Sequence, residues 1–212
     1  MAAEAPFAAP ARQPTFTTAR VTGGVVVERA LHRQRLLRDG GEPALVDSLL
    51  QEADARALAL GDGMVRVVVG SDAERSSVEA GGARRRAWSV GDAPLSLLLR
   101  ADPRVGDALT KKTVERRALT AIDDEARALG ADGALLTGPE GELREGTWFS
   151  FVLRVDDAWC APPLGDGVLF STTRAAFERA LIARGQALLE RRLTLVDLAR
   201  AQAAIALSAL LG

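Results

Sequence analysis

Lysine is nearly absent from this 212-residue chain: among its 27 lysines and arginines, only Lys111 and Lys112 are lysine. Tyrosine is missing altogether, and histidine and cysteine occur once each, as His32 and Cys160. No apolar run approaches the roughly 20 residues needed to span a bilayer. Each shortage excludes a class of chemistry. One His and one Cys cannot build a His- or Cys-based zinc cluster. A lone Cys160 rules out an internal disulfide and suits a reducing compartment. No nucleophile-elbow sequence accompanies His32, and no Walker loop, Gly-x-Gly-x-x-Gly or nucleic-acid signature is present. A net charge of −1 gives no electrostatic case for nucleic acid or an anionic membrane surface. Reactive groups must then be carboxylates, hydroxyls, one of the two lysines, or a bound cofactor.

The lysine pair sits in "ALTKKTVERRALTA" (108–121). For a salt bridge Lys and Arg are nearly exchangeable, but a desolvated lysine amine loses its proton and becomes a nucleophile, which a guanidinium does not. Lys111 or Lys112 is therefore a candidate for amine chemistry, and composition does not choose between them. The rest of the composition, 48% apolar and 26% charged, is that of an ordinary globular protein. The opening "MAAEAPFAAPARQP" lacks the basic start and apolar centre of a signal peptide, so residues 1–14 are expected to be a flexible lead-in and the protein cytoplasmic.

Periodicity divides the remainder. "TFTTARV" (15–21) predicts a strand, "TGG" a hairpin or strand-to-helix turn, and the leucine spacing from about Glu28 a helix stopped by Gly40 and Gly41. "EPALVDSLLQEADARALAL" (42–60) predicts a second helix with Pro43 near its start. Strands follow at 64–70, 84–90 and 94–100, with "EAGGA" (79–83) as a turn between the first two. The unpatterned "ADPRVGDALT" (101–110) predicts a linker. Beyond it a helix is expected from about Thr113 to Leu129, with Val114, Ala118, Ile122 and Ala126 on one side. Strands and turns then alternate to residue 163, followed by helix, strand, short helix and a final strand "AAIALSAL". The fold class expected is α+β in two lobes, 15–103 and 104–212.

Three places besides the lysines could hold a ligand. Ser171, Thr172 and Thr173 in "GVLFSTTRAAFERAL" open a helix, where free N–H groups and the dipole favour an anion, although a hydroxyl there also serves as an ordinary cap. Glu145 stands at a turn before an apolar strand in "ELREGTWFSF". His32 and Arg35 lie one turn apart on one helix face. Together these are the groups pyridoxal phosphate needs: a lysine for its aldehyde, a carboxylate against its pyridine nitrogen, and an anion cradle with an arginine for its phosphate.

In this order the pieces resemble the class IV (fold-type IV) pyridoxal-phosphate enzymes: branched-chain aminotransferases, D-amino-acid transaminases and 4-amino-4-deoxychorismate lyases. The resemblance covers about residues 15–212. "FTTARV…HRQRL" is similar to the family's first strand and His-x-x-Arg-Leu helix, and "KTVERR" to the segment around its cofactor-bound lysine, which selects Lys112 over Lys111. "GADGALLTGPEGELREGTWFSFV" resembles the segment carrying the glutamate partner of the pyridine nitrogen, which implies that role for Glu145. "GVLFSTTR" resembles the phosphate turn and "LTLVDLARAQAAIALSAL" the closing segment, which implies a phosphate site of Arg35, Thr172, Thr173 and Ser208. Ser150, Ser171 and Ser208 stand where relatives carry Asn, Gly and Asn. "FTTARV", Arg116 where transaminases often carry Tyr, and the lack of any Tyr look most like the lyases. Phe16, Thr18 and Arg20 share a strand face, which aims Thr18 and Arg20 at the substrate. The resemblance implies a homodimer that converts 4-amino-4-deoxychorismate to 4-aminobenzoate and pyruvate. An amino-acid transaminase acting on a branched-chain or D-amino acid is the alternative, and a catalytically silent relative acting as a binding or scaffold protein a further one.

Overall fold

The structure, a computed structural model, describes residues 13–82 and 94–209; the strand expected at 84–90 lies outside them. Strand β1 (Thr15–Thr22) and strand β2 (Val25–Val26) form a hairpin in which Val21 faces Val26. Gly23 and Gly24 turn the chain at φ of 56° and 78°, a conformation glycine adopts without steric cost. Helix α1 (Arg29–Arg38) follows, then α2 (Pro43–Leu60). Pro43 takes the first helical turn, where its missing N–H is not needed, and the Glu42 carboxylate accepts from the Ala44 and Leu45 amides. Strand β3 (Gly63–Val69) runs antiparallel to β1, and β4 (Ser77–Gly81) completes the order β2-β1-β3-β4. Residues 79–81 are strand rather than turn, because Met64, Val65 and Arg66 on β3 supply partners for them. Val46, Leu50, Ala53 and Ala57 of α2 pack with Ala19, Val21, Val65 and Val67 into one apolar core.

Strand β5 (Leu97–Ala101) leads through a short 3-10 turn at Gly106–Leu109 to α3 (Arg117–Ala128), β6 (Gly133–Thr137) and β7 (Leu143–Gly146). These three strands form a sheet with β5 parallel to β6, so residues 97–101 side with later strands rather than with β1–β4. Next come β8 (Ser150–Val155), β9 (Ala158–Ala161), α4 (Thr172–Ile182), β10 (Leu188–Glu190), α5 (Leu195–Arg200) and β11 (Ala203–Leu207). Their sheet has the order β10-β9-β8-β11, with Ser150 opposite Leu207.

Three expectations from the sequence need correction. The helix expected from Thr113 begins at Arg117, because the preceding residues pair with the start of β1: Phe16 N–H donates to the Lys112 carbonyl (2.9 Å) and Val114 N–H to the Pro14 carbonyl (3.0 Å). The buried side of α3 is accordingly Leu119 and Ala126, and Val114 lies outside the helix and exposed. The expected linker holds two of the most thoroughly buried charges in the molecule, Asp102 and Arg104. Glu145 belongs to β7 and is buried, not a turn residue in solvent. Among the described residues no helix is long and apolar enough to cross a membrane, and no group of His, Cys, Asp and Glu could hold a metal ion.

Candidate active site

A cavity of about 220 Å³ opens where β1, α1, the segment before α3, β7, the start of α4 and the end of β11 meet. Its lining includes Lys112, Arg35, Glu145, Thr172, Thr173, Ser208 and Thr18, so seven residues singled out in the sequence converge from positions 18 to 208. Arg20 does not join them: it is exposed, and the cavity wall on β1 is Phe16 and Thr18. The right-handed twist of the strand spreads residues of one face apart, so a four-residue step along β1 leaves the cavity.

Lys112 is held by its backbone, with its amide N–H donating to the Asp39 carboxylate (3.2 Å) and its carbonyl accepting from Phe16. Its amine lies 4.8 Å from the centre of the Phe16 ring. Burial, and secondarily the nearby Arg35 and Arg116 guanidinium groups, push the amine well below the ordinary lysine range, against the pull of Glu145 and Asp39. Disfavouring the charged form in this way makes the amine a better nucleophile and base. Lys111, by contrast, forms an ion pair with Asp107 one turn away. The two lysines therefore differ as amine chemistry requires.

Arg35 is buried on α1, and its Nε has no hydrogen-bond partner. Burial lowers its pKa, with Asp39 and Glu145 opposing. His32, one turn earlier, is hydrogen-bonded to the Thr17 hydroxyl (2.6 Å), and burial lowers its pKa to about 3, with help from Arg35 and Lys112. It is a neutral spacer beside Arg35, not a titrating group near neutrality. Asp39 caps α1, and burial raises its carboxyl despite Arg35.

Across the cavity, Thr172 is buried at the first turn of α4 and Ser171 caps the helix by accepting from the Arg174 amide (3.2 Å). Ser171 has φ −94°, a conformation open to any residue, so the absence of glycine there strains nothing. Ser150 and Ser171 are hydrogen-bonded to each other (2.7 Å), and Ser150 also reaches the Leu207 carbonyl (3.3 Å). Residues read separately as departures from the family pattern are thus one contact, tying β8 to the start of α4.

The sequence left several functional neighbours unseen. Arg116 lines the cavity, and its guanidinium donates to the Thr147 carbonyl. Arg66, opposite Thr18 on β3, places its guanidinium 4.3 Å from the Phe16 ring centre, and its buried Nε has no partner. Arg104 forms an ion pair with Glu145. A charged residue inside an apolar strand such as Met64–Val69 is the one signal that could have pointed to Arg66.

Comparison with known proteins bears on the fold and the family. Among curated proteins no relative matches. Solved structures do: an aminotransferase from Mycobacterium tuberculosis bound to alpha-ketoglutarate and PMP superposes with a TM-score of 0.77 at 19% identity, covering 100% of this chain and 84% of that one. The 4-amino-4-deoxychorismate lyase from Pseudomonas aeruginosa gives 0.74 at 20% identity, covering 99% and 86%. A fold IV-transaminase from Curtobacterium pusillum gives 0.70 at 22%, covering 93% and 76%. At such identities the likeness shows the fold. The family model described as amino-transferase class IV matches residues 44–212, most of the chain, so the protein belongs to the class IV aminotransferase family of pyridoxal-phosphate enzymes.

Proposed function

We propose that this enzyme is a lyase that splits 4-amino-4-deoxychorismate into 4-aminobenzoate and pyruvate. The observation that carries the reading is the charge of the cavity wall. The guanidinium groups of Arg35 and Arg116 line it against a single carboxylate among the described residues, Glu145, which is already paired with Arg104. Such a wall suits two anionic ligands together, a phosphate and a dicarboxylate substrate.

The residues present fit the family's cofactor. Arg35 offers a buried, unpartnered donor, and the start of α4 offers free amides beside it in the same cavity. In this reading Arg35, Thr172, Thr173 and Ser208 would hold the phosphate, Glu145 would partner the ring nitrogen, and Lys112 would be the amine for the aldehyde. When bound, pyridoxal phosphate supplies an electron-withdrawing ring that stabilises negative charge at the substrate's amine-bearing carbon. Lys112, whose charged form is disfavoured by burial, would accept the proton from that carbon at Nζ. Arg116 and Thr18 orient the substrate, with Arg116 pairing to a carboxylate. Phe16 and Leu119 exclude water along one wall.

A class IV transaminase is the second reading, because a dicarboxylic keto acid would also satisfy Arg116, and the M. tuberculosis neighbour binds alpha-ketoglutarate. The two separate cleanly. Purified protein loaded with pyridoxal phosphate should release 4-aminobenzoate and pyruvate from 4-amino-4-deoxychorismate with no keto acid present. Turnover only after a keto acid is added, with amino-group transfer to it, would overturn the lyase reading.

A further inference from the structure

We propose that Arg104 is a positioning residue: its guanidinium fixes the Glu145 carboxylate and ties it to the loop that opens α4, so that the carboxylate end and the anion end of the cavity keep a set spacing. Arg104 is not part of the cavity wall. It lines a neighbouring hollow of about 350 Å³ and reaches the cavity only through Glu145.

All three nitrogens of its guanidinium are engaged. Nη1 donates to Glu145 Oε1, Nε to Asp102 Oδ1 (2.9 Å), and Nη2 to both Asp102 Oδ2 (2.7 Å) and the Gly167 carbonyl (2.9 Å). Residues 102, 145 and 167 are thus joined through one planar group. A lysine, with a single charged nitrogen, could not serve all three acceptors in this plane. Asp102 is wholly buried and takes a further bond from Arg144 Nη1 (3.2 Å), whose Nη2 reaches Glu142 (3.2 Å). Gly167 has φ 75°, a conformation glycine adopts freely, and a Cβ there would come within 2.8 Å of the Arg144 guanidinium. Two residues later the Leu169 amide donates to Glu145 Oε2 (3.4 Å), and two residues after that Ser171 caps α4. The loop from 167 to 171 is therefore anchored on Glu145 and its arginine just before it presents the helix start to the cavity.

Loss of Arg104 would affect its two acid partners differently. Asp102 keeps Arg144, whereas Arg104 is the one cation within ion-pair distance of Glu145 among the described residues. A buried carboxylate deprived of its cation takes up a proton at higher pH. The inference rests on the proposal that Glu145 meets the cofactor's ring nitrogen, and the test keeps the two apart.

The dissociation constant of pyridoxal 5′-phosphate is measured for the wild type, Glu145→Gln, Arg104→Gln and the double variant, from mildly acid to mildly alkaline pH. Thermal unfolding of the cofactor-free proteins is followed alongside. Arg104→Gln should weaken binding about tenfold, as loss of a residue that orients a ligand-contacting group does, and progressively more as pH falls. Added to Glu145→Gln, it should cost much less than it does alone, because only its tether to Gly167 is then left to lose. Unchanged affinity in Arg104→Gln, or a loss that adds in full to that of Glu145→Gln, overturns the inference while leaving Glu145 in its role. No effect of Glu145→Gln on binding overturns both. Should Arg104→Gln fail to fold, Arg104→Lys carries the same cycle: it keeps the charge and loses the plane, so binding should weaken without a pH slope. Wild-type affinity in Arg104→Lys overturns the inference.

Discussion

Two interiors of this molecule are equally dry and built from opposite materials. Behind β1 and β3, Leu36, Val46, Leu50, Ala53, Val65 and Val67 pack against one another with no charged residue among them. In and beside the cavity, Arg35, Asp39 and Glu145 are buried, and the side chains of Asp102 and Arg104 are withdrawn from solvent next to them. The apolar region is held by volume and tolerates any hydrophobic set that fills it. In the charged region each group depends on particular partners, and a missing one leaves a buried charge uncompensated. The first region supplies stability and the second supplies chemistry, at some cost in stability.

Substitutions should separate the two regions by what they damage. The largest effect is expected from Lys112→Arg, which keeps a long basic side chain but removes the one amine that lines the cavity among the described residues. Visible absorbance of the bound cofactor and turnover should both vanish, and retention of either would show that the amine lies elsewhere. Leu50→Ala, in the apolar region, should destabilise the fold by about 2–5 kcal/mol in denaturant unfolding. Active-site chemistry per folded molecule should be unchanged. Arg35→Ala inverts that pattern: cofactor binding should weaken by about 1.5–3 kcal/mol, the range for a hydrogen bond to a charged group, with little change in the unfolding midpoint of the cofactor-free protein. Equal damage to stability from Arg35→Ala would break the distinction.

A pH effect of similar size belongs to the border between the regions. His32 titrates at about 3 in the folded chain against 6.5 when unfolded. Below 6.5 the unfolded chain takes up a proton that the folded one refuses. The associated stability is therefore complete above pH 6.5 and declines as pH falls toward 3, by about 2 kcal/mol at pH 5. A His32→Gln variant, which does not titrate, should have a flatter melting-temperature profile between pH 7 and 5; an identical slope would remove His32 as the cause. The smallest effect is expected from Lys111→Arg. Arginine can keep the ion pair with Asp107, and neither binding nor turnover should change.

The apolar region was the legible one. Leucine and alanine spacing gave α2 to within a residue of its ends, and the β-branched runs gave β1 and β3, because each element buries a face that its own periodicity encodes. At the cavity, the scarcity of lysine and a helix start, a turn and a helix face offered the lysine pair, Thr172, Glu145 and Arg35 as separate candidates, and likeness to a family chose Lys112 over Lys111 and joined them into one site. Asp102 and Arg104 were missed, and their segment was read as a linker. A buried ion pair has no period, and Arg104 is interior only because Glu145, 41 residues away, and Gly167, 63 residues away, are brought against it. The start of α3 was misplaced for the same reason: only pairing with β1 keeps Lys112 to Val114 extended.

The cavity takes wall residues from Phe16 on β1 and from Ser208 just past β11, so nearly the whole chain intervenes between two sides of one small space. No fragment made during synthesis can present that space before β11 has left the ribosome and settled beside β8. Cofactor capture should thus depend on β11: a chain stalled short of that strand should stay colourless, however well α2 and its apolar core have folded.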